Sequence, residues 1–235
     1  MSNYLVRVQL PDRPGALGAV ASRIGSVGGD VISIDILERG RGVVVDELGV
    51  GLAGDHLIGL LRDEILEVDG VAIESMRPVR GALPDRHAEL LGLATELFAQ
   101  ASSSVLLAHL VVRVRRSLVA TFAAIYDAAS AEVLTVDGEP PAPEQLADVS
   151  SSLLLAATAG TAATAATAGT GPAGVTTVPT DGIVVVGDGS VAAAGMSQHG
   201  LVLVVGRADP VLRERELQWI SIMAELAGHG WRQLV

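Results

Sequence analysis

The first 80 residues switch between the apolar periodicity of strands and that of helices, and this order restricts the folds open to the chain. Residues 4–10 are mostly apolar and β-branched, which predicts a strand. The D-R-P-G segment at 12–15 interrupts the strand, and a helix is predicted from 15 to 27. Gly28 and Gly29 end that helix. Its predicted apolar stripe consists of Leu17, Val20, Ile24 and Val27.

Three more strands and a second helix are predicted in the same region. Residues 30–38 alternate in a way typical of a strand. A turn at 39–42 leads into another strand at 42–50, so the two strands form a hairpin. Residues 55–67 predict the second helix and residues 71–79 the last strand. One face of the first hairpin strand carries only isoleucine, at Ile32, Ile34 and Ile36.

The order β-α-β-β-α-β over residues 1–80 predicts an α+β domain of the ferredoxin-like type. In this plan two helices cover one face of an antiparallel sheet. The other face of the sheet must be covered by another part of the protein or exposed to water. We expect the isoleucine row to be covered by a second copy of the chain or by the second domain, because exposed apolar patches mark interfaces.

The segment DRPGALGAVASRIGSVGGDVISIDI, residues 12–36, resembles the ACT domain, a small-molecule regulatory module of amino-acid metabolism. The resemblance covers about 80 residues, and its motifs are the D-R-P-G loop and the G-G-D helix exit. It implies that an amino acid binds between the first β-α loop of one subunit and the second strand of its partner. The site residues that it implies are Asp12, Arg13, Gly15, Ala16, Leu17, Val31 and Ile32.

By the same resemblance, Asp12 would hold the ammonium group of the effector. The N–H groups of Gly15, Ala16 and Leu17 would meet its carboxylate at the start of a helix, and Val31 and Ile32 would form the partner-strand edge. Two positions depart from the family pattern: Leu10 and Val31 stand where some relatives carry polar residues. The alternative is that Asp12 only caps the helix.

The second domain is predicted over residues 85–235, with the order α-α-β-β-α-β-β-β-α. Helices are expected at 86–101 and 105–116, a strand at 117–127, and a closing helix at 210–228. The segment LVLVVGRADPVLRERELQWISIMAELAG, at 201–228, resembles the end of a GAF domain, a sensory module related to PAS. The resemblance implies an antiparallel sheet flanked by helices, and a dimer built from the first and last helices.

No charged residue lies between Asp148 and Asp181, where the chain is rich in Ala, Thr and Gly. Such residues contribute little to membrane insertion, so a membrane span is not expected. We predict a helix end that runs into a flexible loop. The letters GTGPAG at 169–174 match a dinucleotide fingerprint, but no strand precedes them and Pro172 opposes the helix start.

The amino-acid composition excludes several kinds of catalytic and binding site. The chain has no cysteine and no lysine, its 16 basic residues are all arginine, and its net charge is −11. This excludes thiol and Schiff-base catalysis, a lysine-bearing phosphate loop and bilin attachment through cysteine. The acidic balance argues against nucleic-acid binding. The N-terminus lacks a secretory pattern, which makes a cytoplasmic location the default.

No catalytic constellation is apparent in the linear sequence. Ser197 and His199 are close together but do not form the G-x-S-x-G pattern. The five histidines are not at metal-ligand spacing, and His109 lies among apolar helix residues, where a hydrogen-bonded histidine is more common than a haem ligand. We predict no cofactor and no metal.

These observations predict a non-enzymatic, cytoplasmic, homodimeric regulator that binds an amino acid or similar small molecule at the ACT interface. Because no output domain is recognised, it would signal through a partner protein. One alternative is a ligand-free dimerisation or protein-interaction module. Another is an unrecognised enzyme that uses the GAF-like pocket.

Overall fold

The computed structural model describes residues 2–40, 42–142, 144–149, 151, 175–176, 183–186, 190–196 and 200–234. The chain divides into two compact units, Met1–Asp85 and Arg86–Val235. Both units combine helices with antiparallel sheets, which confirms the predicted α+β class.

The elements of the first unit follow the order β-α-β-β-α-β. They are β1 (Ser2–Pro11), α1 (Ala16–Ser26), β2 (Asp30–Gly40), β3 (Val43–Leu52), α2 (Ile58–Leu66) and β4 (Ala72–Val79). A short 3-10 turn at Asp55–Leu57 leads into α2. The sheet has the order β2-β3-β1-β4, and each neighbouring pair is antiparallel.

The core of the first unit lies between one face of this sheet and the two helices. α1 buries Ala16, Val20 and Ile24, at positions i, i+4 and i+8. Leu17 and Val27 are only half-buried, so the apolar stripe is centred one residue earlier than predicted. The remaining buried members of this core are Tyr4, Val6, Val8, Leu10, Leu48, Val50, Leu52, Leu61, Ile65 and Val68.

Ile34 and Ile36 of the isoleucine row lie on the helix side of the sheet, which corrects our assumption that the row faces away from the helices. Ile34 pairs directly with Leu48 of the core, and directly paired residues share a face. β2 is the edge strand, however, and Ile34 and Ile36 are 47% and 53% exposed. The apolar row therefore continues the core out to an open sheet edge.

The face opposite the helices carries buried charge. The Nη2 atom of Arg7 on β1 donates to Oε2 of Glu47 on β3 at 3.1 Å, and both side chains are 3% exposed. After β4 the chain returns to this sheet, where Asn3 donates to the carbonyl of Gly81 at 2.8 Å. A side chain at Gly49 would collide with the side chains of Ser33 and Leu83, which would have to move to admit it.

The second unit contains one six-stranded antiparallel sheet with the order β6-β5-β10-β9-β8-β7 among the described residues. Its elements are α3 (Arg86–Phe98), α4 (Ser103–Leu118), β5 (Phe122–Asp127), β6 (Glu132–Gly138), α5 (144–149), β7 (Val175–Thr176), β8 (Ile183–Val186), β9 (Val191–Gly195), β10 (Leu201–Gly206) and α6 (Glu214–Arg232). Helices α3, α4 and α6 pack against one another. β10 is buried at every position, as expected for a strand covered on both faces.

The predicted strand at 117–127 was wrong at its start. Ser117 and Leu118 belong to α4, and Val119 ends that helix with a left-handed φ of 52°. The helix continues because Leu118 extends the buried row of Leu110, Val111 and Val114. The β-branched residues Val119 and Thr121 therefore led to a strand start that was predicted too early. The strand begins only at Phe122.

The closing helix starts at Glu214 rather than at residue 210, because a buried ion pair shapes the chain before it. Arg207 donates to both carboxylate oxygens of Glu216, at 2.8 and 2.7 Å, and to three backbone carbonyls. Glu216 also accepts from the backbone N–H of Arg213 at 3.0 Å. The Gly-Arg…Glu pattern of the sequence thus has a structural role at the α6 N-terminus.

Several predictions fall outside the described residues. They are the flexible loop in the Ala/Thr/Gly stretch, the GTGPAG segment and the Ser197–His199 pair. The third helix of the predicted order, which we expect to begin at Pro140, Pro141 and Pro143, is described only at 144–149 and 151. Within the described parts of the chain, no helix is long and apolar enough to cross a bilayer.

Candidate functional site

The loop between β1 and α1 places Asp12 beside the end of β2. Arg39 donates to both Asp12 carboxylate oxygens, from Nη2 at 3.0 Å and from Nε at 3.3 Å. The backbone N–H of Asp12 donates to the carbonyl of Gly42 at 2.9 Å, which fixes the loop. The Asp12 carboxylate raises the pKa of Arg39 through this hydrogen bond and its charge.

Asp12 does not cap α1, which excludes the alternative considered from the sequence. The N-cap is Gly15, with a left-handed φ of 89°, and no side chain of the described residues bonds to the helix start. A Cβ placed on Gly15 would meet no atom within 4 Å. The first N–H groups of a helix lack partners within it and attract anions. The start of α1 is therefore open on the side of Gly15.

The structure brings together five of the seven predicted site residues. Asp12, Arg13, Gly15, Ala16 and Leu17 follow one another at the β1–α1 turn, where Ala16 donates to the Arg13 carbonyl at 3.3 Å.

Val31 and Ile32 lie at the opposite end of β2 in the same chain. Val31 pairs with Val50, whereas Arg39 pairs with Val44 near the loop. Because β2 is irregular at two points, the span from Val31 to Arg39 matches the six steps from Val50 to Val44 on β3, which correspond to about 20 Å. Within one chain these two residues cannot join the loop site.

Asp46 is a buried acid that sequence inspection missed. It lies on β3 directly opposite Val8 and Ile36, on the helix-covered face of the sheet. It is 2% exposed, and its Oδ1 atom has no hydrogen-bond partner among the described residues. Burial raises the pKa of this carboxyl. The signal available in the sequence was an aspartate inside the apolar run VVVDELGV.

Asp46 lies three residues from the start of β3, at the sheet end where β1 leads into α1. Its neighbour Val8 belongs to the same core as Ala16 and Val20 of α1. A carboxylate that is buried without a partner carries an energetic cost, which a cationic group would relieve. This end of the first unit therefore combines an open helix start with two carboxylates, those of Asp12 and Asp46.

In the second unit, a pocket of about 130 Å³ opens between α3, α4 and α6. His109 is hydrogen-bonded through Nε2 to Glu96 at 2.7 Å. The His109 contact, followed by the charge of Arg113, lowers the pKa of Glu96. The described part of the chain holds no cluster of three or more metal-ligating side chains.

No protein-family model matches the chain, and no curated protein matches it in sequence. A protein of unknown function from Galdieria sulphuraria has a TM-score of 0.28 and 16% identity, over 43% of this chain and 64% of that one. A bacteriophytochrome from the photosynthetic bacterium R. palustris has a TM-score of 0.31 and 12% identity, over 74% of this chain and 34% of that one. The chain spans less than two thirds of either structure, and such scores do not establish a shared fold.

Proposed function

We propose that the protein is a non-enzymatic regulator whose first unit, an ACT-like domain, binds an amino acid near the start of α1. The observation that carries the proposal is Asp46, a buried carboxylate whose Oδ1 atom lacks a partner among the described residues. An ammonium group is a small cation that would satisfy this carboxylate. Asp12 lies farther out, in the adjoining loop, four residues or about 13 Å beyond Val8, the residue opposite Asp46.

The carboxylate of the same ligand has its own complement. The N-terminus of α1 has no side-chain cap and offers the positive end of the helix dipole and backbone N–H groups, although the N–H of Ala16 is already bonded to the Arg13 carbonyl. Arg39, which is 68% exposed, lies against Asp12 in the same place and can hold a carboxylate in a bidentate pair. A zwitterion therefore suits this end of the unit better than a simple anion or cation.

The ion pair between Arg39 and Asp12 does not oppose ligand binding strongly. Both side chains are partly solvated, at 68% and 30% exposure, and exposed ion pairs contribute about 0–1 kcal/mol. A bound amino acid can exchange its own charges for this contact at little cost. Arg39 then turns from Asp12 to the carboxylate of the ligand.

Completion of the site by Val31 and Ile32 requires a second copy of the chain. β2 is an edge strand that carries exposed Ile34 and Ile36, and such edges readily pair with another strand. In the second unit, which we propose is GAF-like, Leu91, Phe98 and Ile222 on α3 and α6 are also exposed. Both features support a homodimer whose partner strand borders the effector.

Regulation would follow from this location. A ligand bound between two copies favours the arrangement in which the site is complete, and this shift in population is the signal. The proposed regulator transmits that signal to a partner protein rather than to a reaction of its own.

The test is a thermal-shift screen of the full chain against the twenty common amino acids. At about 100 times its dissociation constant, a bound ligand adds about 2.7 kcal/mol of stability. We expect one amino acid or a chemically related group to stabilise the protein. The corresponding amine and the corresponding carboxylic acid, each lacking one charge of the zwitterion, should not. The absence of stabilisation by all twenty would reject the proposal.

A second candidate function is dimerisation or protein interaction without a ligand, and the exposed apolar residues on β2, α3 and α6 favour it. In that case the oligomeric state would not change with any amino acid. Light scattering during the same screen separates the two candidates, because an effector that completes a shared site must tighten the dimer.

A further inference from the structure

The pocket between α3, α4 and α6 has one charged side and one apolar side. Three arginines and one glutamate are its charged lining residues, which gives a formal lining charge of +2 in a protein of net charge −11. The concentration of positive charge is therefore local to this pocket. It belongs entirely to the second unit and is independent of the site near α1.

The inner part of the charged side is held in place by its own contacts. Arg86 is 5% exposed, and its Nη1 atom donates to Oε2 of Glu89 at 3.1 Å and to Ser117. The Ser117 hydroxyl donates to the same Glu89 oxygen at 2.6 Å. The guanidinium carbon of Arg86 lies 5.2 Å from the centroid of the Trp219 ring, which is a cation–π distance. This network fixes the pocket wall.

The outer part of the charged side is available to a ligand. Arg113 is paired through Nε with Glu96 at 3.0 Å, a carboxylate that also binds His109. Arg116 lines the pocket and is exposed, and no hydrogen bond or ion pair joins its side chain to any described residue. A planar anion can bond to the guanidinium of Arg116 in two places without displacing a protein carboxylate.

The apolar side is formed by Leu90 and Leu93 of α3 and by Trp219 and Met223 of α6. The volume of about 130 Å³ is close to that of cavities that hold benzene, about 150 Å³. Inorganic phosphate would leave this wall uncovered, and a neutral hydrocarbon would leave the arginines without a partner. The lining therefore favours a ligand that combines a negative charge with an apolar body.

We propose that this pocket binds a small monocarboxylate with an apolar body about the size of a benzene ring. The carboxylate contacts Arg116 and lies near Arg113, and the apolar body packs between Trp219 and the leucines of α3. Occupancy would brace α3 against α6, the two helices that carry the exposed Leu91, Phe98 and Ile222.

Fluorescence provides a direct test, because the chain has two tryptophans and Trp219 lines the pocket. In a Trp231→Phe background, Trp219 becomes the reporter, and sodium benzoate is the probe. We expect a saturable change of emission with benzoate, and none with benzamide or inorganic phosphate at the same concentration and ionic strength.

Two variants of Arg116 and one control variant locate the binding in this background. Arg116→Ala should weaken benzoate binding about tenfold or more, the usual effect of losing a charge-assisted hydrogen bond. Arg116→Lys should recover part of it, because charge remains while the bidentate geometry is lost. Arg62→Ala, which removes another exposed arginine from the first unit, should bind benzoate as the parent does.

Equal responses to benzoate and benzamide would overturn the proposal, since the pocket would then recognise only an apolar body. A response unchanged by Arg116→Ala, or no saturable response to benzoate, would overturn it as well. Because the reporter and all pocket residues are in the second unit, failure here would leave the amino-acid proposal for the first unit intact.

Discussion

At Arg207 a single buried guanidinium determines how the second unit closes. It binds both oxygens of Glu216 and the carbonyls of Leu118, Pro210 and Val211. The exposures of the two charged side chains are 6% and 1%. Water cannot replace either partner, so the pair is needed once both charges are buried.

We expect Glu216→Ala to destabilise the second unit by about 3–5 kcal/mol, because it leaves a buried guanidinium without its counterion. Urea unfolding followed by tryptophan fluorescence measures this, since Trp219 and Trp231 both belong to that unit. Glu214→Ala on the same helix is exposed and should change stability by about 0.5 kcal/mol or less. Equal effects of the two substitutions would contradict this account of the ion pair.

Asp46 should make the stability of the first unit depend on pH. Burial raises the pKa of its carboxyl above the ordinary value of 3.8, so its protonated form is favoured in the folded protein. The resulting contribution is fully present below 3.8 and is lost as pH rises through the folded pKa. At neutral pH the buried charge therefore destabilises the unliganded protein.

Asp46→Asn, which removes that charge, should accordingly be more stable than the wild type at neutral pH. The difference between the two proteins should shrink as the pH falls toward about 4, the ordinary range of the Asp carboxyl. Thermal unfolding at several pH values, followed by circular dichroism, measures it. A stability difference that did not vary with pH would show that Asp46 does not titrate abnormally.

Among the elements, β2 is an exposed edge strand of the sheet in the first unit. A long edge strand with apolar side chains is prone to pair with another chain, and a lysine on such a strand prevents it. We expect Ile34→Lys to convert the proposed homodimer to monomers in light scattering. Leu60→Lys replaces a side chain on α2 that is similarly exposed, at 50%, and should leave the dimer intact. Dimers that persist in Ile34→Lys would place the interface elsewhere.

The helices and strands of the first unit could be predicted because their signals are local. The D-R-P-G and G-G-D segments stand at both ends of α1, and alternation of apolar residues marks β2. The face occupied by Ile34 could not be predicted, because it depends on pairing with Leu48 and on irregular pairing near Val31 and Ile36. Register is a long-range property that a single strand does not specify.

For the candidate site, too, the local features could be predicted and the long-range contacts could not. The resemblance of the D-R-P-G loop to the ACT domain was enough to select Asp12, but its contact with Arg39 depends on how β2 ends beside the loop. Asp46 was overlooked because an acid within a strand is usually a solvated residue. Its burial results from helix packing on the sheet, which the run VVVDELGV does not reveal by itself.

For the whole molecule, the two proposed sites predict a sensor with separate inputs in its two units. If both ligands favour the same dimer, each must raise the affinity for the other by the same factor, since coupling free energy is reciprocal. The proposed contacts use arginine, carboxylates and helix N–H groups, which is consistent with a chain that has no lysine and no cysteine.

The central claim, that Asp46 accepts the ammonium group of an amino acid, is tested by calorimetric titration at neutral pH. The amino acid that stabilises the wild type most strongly is titrated into the wild type, Asp46→Asn and Asp63→Asn, the last removing an exposed carboxylate on α2. We predict that Asp46→Asn binds about tenfold more weakly or worse, although it is the more stable protein without ligand. Asp63→Asn should bind like the wild type. Undiminished binding by a folded Asp46→Asn protein would contradict the account.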